Sequence, residues 1–314
     1  MKLWLGVTDN RWYRFLASAA GIDEVNFWHP SGRAPFNSLP EGTPFLFKVK
    51  SPHHHIAGGG FFVKYESLPL PLAWDAFGIK NGAATYRELE AMIGPLRSHD
   101  DGMTPEIGCS ILSQPFFWPE SDWLSVGDDF APNIVVGKRF DTSTPIGERL
   151  WEAVRTRIAA HPSRVAAVAE ELLVASYGAP ALVQPRRGQG TFRATVTNAY
   201  QRRCAITGEH TLPVLEAAHI KSFARDGYNN TFNGLLLRSD FHKLFDQGLV
   251  TVTPDYKIRV SDKIREHWFN GKVYYALQGK PLAILPTDPR DHPRPELLAW
   301  HNENVFDKPR RNAE

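Results

Sequence analysis

Cysteine is nearly absent: Cys109 and Cys204, two residues in 314, are too few for a disulfide framework or a four-thiolate zinc site. No stretch approaches the ~20 consecutive apolar residues of a membrane helix, so no membrane partner is expected. A surplus of one charge is missing as well. The formal net charge is +2, too small to announce a nucleic-acid partner by itself, so any such argument must come from local distribution. There is no internal repeat and no low-complexity tract. The first apolar run breaks at Thr8, Asp9, Asn10 and Arg11, which argues against a secretory leader and makes the cytoplasm the expected location.

What is present is a globular composition, 42% hydrophobic and 22% charged, over a length that suits two domains. Charge is unevenly spread. Arg186, Arg187, Arg193, Arg202, Arg203, Lys221 and Arg225 face only Glu209 and Glu216 in their segment, whereas Ser98 to Phe130 holds acids and neither lysine nor arginine. If DNA is bound, phosphates should approach the first segment and avoid the second.

Residues 1 to about 140 combine tryptophan, glycine and proline with short apolar runs such as Pro44 to Val49 and Gly60 to Tyr65, which read as strands. A helix is expected near Thr85 to Ile93, opened by Thr85 and Glu88 in capping-box spacing. Ile146, Leu150, Val154 and Ile158 recur at four-residue spacing, and a second helix follows from Pro162 to Tyr177, stopped by Gly178. Ala179 to Gly190 is polar and carries proline, glycine and two arginines, as a linker or an arm along a phosphate backbone would. The expected division is 1–142, 143–190 as helical connector and linker, and 191–314.

Chemistry concentrates after Tyr200. Val214 to Ile220 reads as a short strand ending in a histidine, Ala224 to Asn233 as a polar loop, and Arg238 to Phe245 as a helix start capped by Ser239 or Asp240. Strand, loop and helix would gather His219, Asn233 and His242. His242 and Asp246, four apart, share a helix face, the spacing of paired metal ligands.

These residues resemble the HNH, or ββα-metal, nucleases: a histidine on a strand, an asparagine in the loop, a histidine on the helix. The runs CAITG, EAAHI and NGLLLRSDFHKLFD, with GQGTFR upstream and LLAWHNENVF downstream, are similar to those of restriction endonucleases of this kind. The resemblance implies that His219 is the general base for the attacking water. It implies that His242 holds one divalent ion, magnesium, manganese or similar, and that Asn233 orients the loop and the strand histidine. Many relatives carry a metal ligand just before the base, where this chain has Ala218; Asp246, or next Glu216, would then supply it. Asp246 also has a plain alternative, an ion pair with Lys243. The zinc-binding CxxC of many relatives is replaced by Cys204, Ala205, Ile206 and Thr207, so no structural zinc is expected and Cys204 reads as a small buried hydrophobe. Arg186, Arg187, Arg202, Arg203 and Lys221 are the candidate DNA contacts.

The runs PFLFKVK, IAGGGFFVKYESLPLPLAWDAFG, IGCSILSQPFFW and NIVVGKRFD resemble the PUA-like superfamily, which includes modified-base readers of the EVE, ASCH and SRA kinds. Such readers hold an extruded base between aromatic side chains while polar groups read its edge. Trp12, Trp28 and Trp74 are the candidate walls, with Asn10, Arg11 and Tyr13 nearby; core packing is the alternative for each tryptophan. Gly58 to Gly60 lacks the lysine and helix start of a phosphate loop, and His53 to His55 reads as an exposed turn. The fold expected is α+β: a PUA-like curved, barrel-like domain, a helical connector and a ββα-metal HNH domain. The function expected is a metal-dependent endonuclease on double-stranded DNA carrying a modified base, a restriction or defence enzyme, with a homodimer as one way to cut both strands. An HNH nuclease on unmodified or structured DNA, and a nucleic-acid-binding protein with a decayed nuclease site, stay open at this point.

Overall fold

The computed structural model describes residues 1–32, 39–97, 106–126, 130–131, 134–160, 187–222 and 228–308. The expected helix from Pro162 to Tyr177, most of the linker, Arg186 and Arg225 lie outside the described residues. The chain forms two compact units, Met1–Gly188 and Gln189–Glu314, and combines a large mixed sheet with helices.

In the first unit the strands are β1 (Lys2–Thr8), β2 (Glu24–His29), β3 (Pro44–Val49), β4 (His55–Pro69), β5 (Glu106–Phe117), β6 (Leu124–Ser125) and β7 (Gly137–Asp141). Their path runs β2-β5-β4-β3-β1-β7, with β6 pairing β4; β1 and β3 are parallel and the other pairs antiparallel. β3 is buried along its whole length because both sheet faces are covered. Phe45, Phe47 and Val49 join Trp12, Tyr13 and Leu16 of α1 (Asn10–Ser18), while Leu46 joins Leu3, Leu5, Phe61 and Phe116 on the other side, as strand alternation requires. Gly58 and Gly59 sit inside β4, where a Cβ would lie 2.2 Å from the Phe116 carbonyl oxygen and 2.7 Å from that of Phe45 respectively. The glycine run therefore allows close strand approach.

Local signals explain the helices. Asp9 caps α1, its carboxylate accepting from the amides of Arg11 and Trp12. α2 (Leu70–Phe77) follows β4 directly. Thr85 caps α3 (Tyr86–Ile93) by accepting from the Glu88 amide, and Glu88 in turn accepts from the Ala84 amide. α4 (Pro145–Ala160) buries Gly147, Trp151, Val154 and Ile158, whereas Ile146 is 40% exposed. A strict four-residue stripe drifts off a helix of 3.6 residues per turn, so the buried face follows the i, i+4, i+7 and i+11 positions instead.

The second unit comprises α5 (Gln189–Ala199), β8 (Leu215–His219), β9 (Gly234–Arg238), α6 (Ser239–Asp246), β10 (Val250–Val252), β11 (Ile258–Val260), α7 (Lys263–Trp268), α8 (Lys272–Tyr275) and α9 (Pro295–Asn304). β8 and β9 form a two-stranded antiparallel sheet pairing Leu215 with Arg238 and His219 with Gly234, and α6 follows at once. Phe192, Tyr200, Leu235, Leu236, Leu237, Phe241 and Phe245 fill one apolar core. The cap of α6 differs from expectation. Arg238 stands at the N-cap with no side-chain cap bond; its guanidinium holds Asp240 through two bonds of 2.7 and 2.8 Å. Gly248 (φ +67°) turns the chain out of α6, and a Cβ there would stand 2.1 Å from the Val305 carbonyl oxygen.

Candidate active site

The strand that ends in His219 and the helix that carries His242 meet because β9 leads directly into α6 while pairing with β8. His242 Nδ1 lies 2.6 Å from the Glu216 carboxylate of β8, and its Nε2 lies 3.3 Å from Asp246 one turn further along α6. A ring with a carboxylate at each nitrogen donates to both only as the imidazolium. His219 belongs to the same electrostatic group. Partial burial depresses its pKa, the charge of His242 acts in the same direction, and Asn229 and Asp246 oppose both. Asp246 is displaced upward, first by desolvation and then by Glu216, against the pull of His242 and His219. Two imidazoles and two carboxylates thus interact across one small region.

The His219 ring is held on two sides. Its Nε2 is 2.8 Å from Asn229 Oδ1; an amide oxygen only accepts, so Nε2 carries the proton and Nδ1 carries the lone pair. Phe192 of α5 stacks on the ring at 3.7 Å between centroids and 9° between planes. Gly234, opposite His219 in the ladder, leaves room for this, since a Cβ there would meet Val196 at 2.5 Å and the Phe192 ring at 3.0 Å.

The Asn233 side chain makes its hydrogen bonds to the loop backbone. It is fully buried, its Oδ1 accepts from the Lys221 amide at 2.9 Å, and its Nδ2 donates to the carbonyls of Lys221 and Tyr228 at 2.8 and 2.9 Å. It therefore clasps the loop at Lys221 and Tyr228, while the side-chain bond to the His219 ring comes from Asn229. Asn233→Ala would strand three backbone groups at once, and we expect a loss of roughly 3 kcal/mol. Urea unfolding checks this; an unchanged midpoint would contradict it.

Cys204 is buried, and its Sγ accepts from the Arg238 amide at 3.3 Å, so it fastens the CAITG turn to β9. Of the candidate DNA contacts, Arg187 makes a bidentate ion pair with Glu41 and Arg202 reaches Asn198. Arg203 reaches the Gly208 carbonyl, and Lys221 lies over the Trp300 ring at 5.5 Å. His301, from the LLAWHNENVF run, is buried, stacked on Phe245 at 3.8 Å and bonded to Thr251, a packing role.

In the first unit a cavity of about 540 Å³ is lined by Trp12, Phe27, Trp28, His29, Lys48 and His54 among others. Of the six expected pocket residues, Trp12 and Trp28 line it. Asn10 instead ties α1 to the 50–51 turn through the Lys50 amide and the Ser51 carbonyl, and Arg11 is exposed. Tyr13 is buried, donating to the Ala57 carbonyl, and Trp74 packs edge-on against Tyr86. Trp12 is only 2% exposed, with its indole N–H on the Asn26 carbonyl and its ring against Phe27 and Phe47, so it is wall and core together. Asn229, Phe192 and Lys48 were not singled out from sequence. A lysine inside the apolar run PFLFKVK is a signal that could have found the last.

Among the described residues no three His, Cys, Asp or Glu side chains surround a point where an ion would sit, and no helix is long and apolar enough to cross a membrane. The donor types do fit a divalent cation: imidazole and carboxylate, with two negative charges close to His242.

Solved structures similar to this chain include the following. ASCH from Zymomonas mobilis is 9% identical, covering 47% of this chain and 94% of its own, with a TM-score of 0.34. The modification dependent TagI restriction endonuclease is 14% identical over 98% of this chain and 84% of its own, TM-score 0.29. The type IV phosphorothioation-dependent restriction endonuclease ScoMcrA is 12% identical over 76% and 49%, TM-score 0.23. A search of curated proteins gives no match. Residues 204–253 match the family model HNH endonuclease, and the segment that joins His219 to His242 is an HNH endonuclease domain.

Proposed function

We propose that the chain is a metal-dependent endonuclease on double-stranded DNA, in which the first unit reads a modified base and the second cuts, as a restriction or defence enzyme would. The observation that carries the nuclease half is the group formed by His219, His242, Glu216 and Asp246 inside the HNH segment.

In this reading His219 Nδ1 takes the proton from the water that attacks phosphorus as the bond to the 3′ oxygen breaks. The burial that lowers its pKa keeps the ring neutral, and therefore basic, near neutral pH. Asn229 fixes the tautomer and Phe192 the ring plane, so the base is positioned before DNA arrives. His242, with Asp246 and Glu216, would hold a divalent cation, which would supply stabilisation of charge on the phosphate and on the leaving oxygen. Glu216 and Asp246 would bring two carboxylates to that cation from either side of His242.

Asn229 is a positioning residue, and Asn229→Ala is expected to cut kcat about tenfold to a hundredfold through loss of tautomer control. DNA affinity should be unchanged, and Asn229→Asp, which keeps an oxygen acceptor, should recover most of the rate. An equal loss in both variants would contradict the role.

The reader half is supported by the aromatic cavity of the first unit. It is tested by binding to duplexes bearing cytosine, 5-methylcytosine, 5-hydroxymethylcytosine or 5-carboxylcytosine at one central position. Tighter binding to at least one modified duplex is expected, and equal affinity for all four removes the reader.

A further inference from the structure

Lys48 is the unusual member of that cavity. It is 5% exposed on a strand whose other residues are all buried, and a register shift between Phe47 and Lys48 marks a bulge, a device that re-aims side chains beside binding sites. Its ammonium has modest company. His54 Nδ1 is 3.4 Å away, the Phe130 ring centroid is 4.8 Å away, and among the described residues no carboxylate pairs with it. The other lining charges are Lys50 and Asp9, which stand 3.9 Å from one another, and burial drives the pKa of His29 down to about 4, so that ring is neutral. Among the described lining residues the charge left over is therefore that of Lys48, in a cavity that Trp12, Phe27 and Trp28 also line. A buried cation without an anion is costly, and burial depresses the Lys48 pKa accordingly. A ligand that brings an anion removes the cost.

We propose that this cavity takes a single extruded nucleobase bearing an acidic substituent, its ring against the aromatic wall and its carboxylate on Lys48 Nζ. The proposal rests on the reader reading above and adds the chemical class of the modification. The volume of about 540 Å³ leaves room for a substituent beside a bare pyrimidine, and a charge-assisted bond to Nζ would discriminate against neutral methyl or unmodified bases.

The test uses the full chain in chelator, so that binding is read without cleavage, and duplexes of one sequence with a central cytosine, 5-methylcytosine or 5-carboxylcytosine. Fluorescence anisotropy should show the carboxylated duplex bound about tenfold or more tightly than the other two, a difference typical of one charge-assisted hydrogen bond. Lys48→Met, close to lysine in volume, should erase that preference, and Lys48→Arg should retain part of it. A Lys48→Met protein that keeps the preference overturns the proposal. So does a wild-type protein that binds the methylated and carboxylated duplexes alike but above cytosine, an outcome that leaves the reader intact. Equal weakening of all three duplexes by Lys48→Met assigns the lysine to backbone phosphate and overturns it too. Equal wild-type affinity for all three overturns it as well, and the same affinity for 5-hydroxymethylcytosine removes the reader itself.

Discussion

His219→Ala is expected to lower plasmid cleavage by about a hundredfold to ten-thousandfold, the usual worth of a positioned general base, while DNA affinity stays within about twofold of wild type. The expectation follows from how the ring is held. Asn229 leaves the lone pair on Nδ1, Phe192 fixes the plane, and burial keeps the ring neutral. Alanine keeps the strand and its pairing with Gly234, so the fold should persist, which circular dichroism and a melting curve can verify. Supercoiled plasmid in manganese or magnesium is the assay for rate, and gel shift in chelator is the assay for binding. Cleavage that survives His219→Ala, or binding that disappears with it, would remove His219 from the role of base.

His242→Ala should act differently, on the cation as well as on the rate. The ring stands between Glu216 and Asp246, and without it two carboxylates remain that raise one another's affinity for protons, as Glu216 already does for Asp246. Calorimetric titration with manganese should show affinity reduced by about tenfold or more, at least the loss seen when a supporting group of a metal ligand is removed, and cleavage should fall to the level of His219→Ala. Lys243→Ala, at the exposed neighbouring position, should change neither. Undiminished manganese affinity in His242→Ala would place the ion elsewhere.

Much of the fold is visible in local patterns. The bounds of β3 follow the apolar run from Pro44 to Val49, and α3 opens with Thr85 accepting from the Glu88 amide and Glu88 accepting from the Ala84 amide. The i, i+4 spacing of His242 and Asp246 does bring their side chains together, because helix geometry is set by nearest neighbours. Side chains whose direction depends on distant elements are another matter. Nothing in the run Tyr228, Asn229, Asn230, Thr231, Phe232, Asn233 says which amide reaches His219, since the loop is closed by bonds to Lys221 across the chain. Phe192 reaches His219 only through the packing of α5 on the β8–β9 pair. The tryptophans show the same limit: Trp12 and Trp28 reach one cavity while Trp74 goes to Tyr86, although composition treats them alike.

The most direct measurement is cleavage of plain and modified plasmid DNA by the full chain, with magnesium or manganese, in chelator, and after metal is restored. The account predicts strand breaks that vanish in chelator, return with the ion and favour modified DNA. Breaks indifferent to chelator, or none on either DNA with metal present, would contradict it.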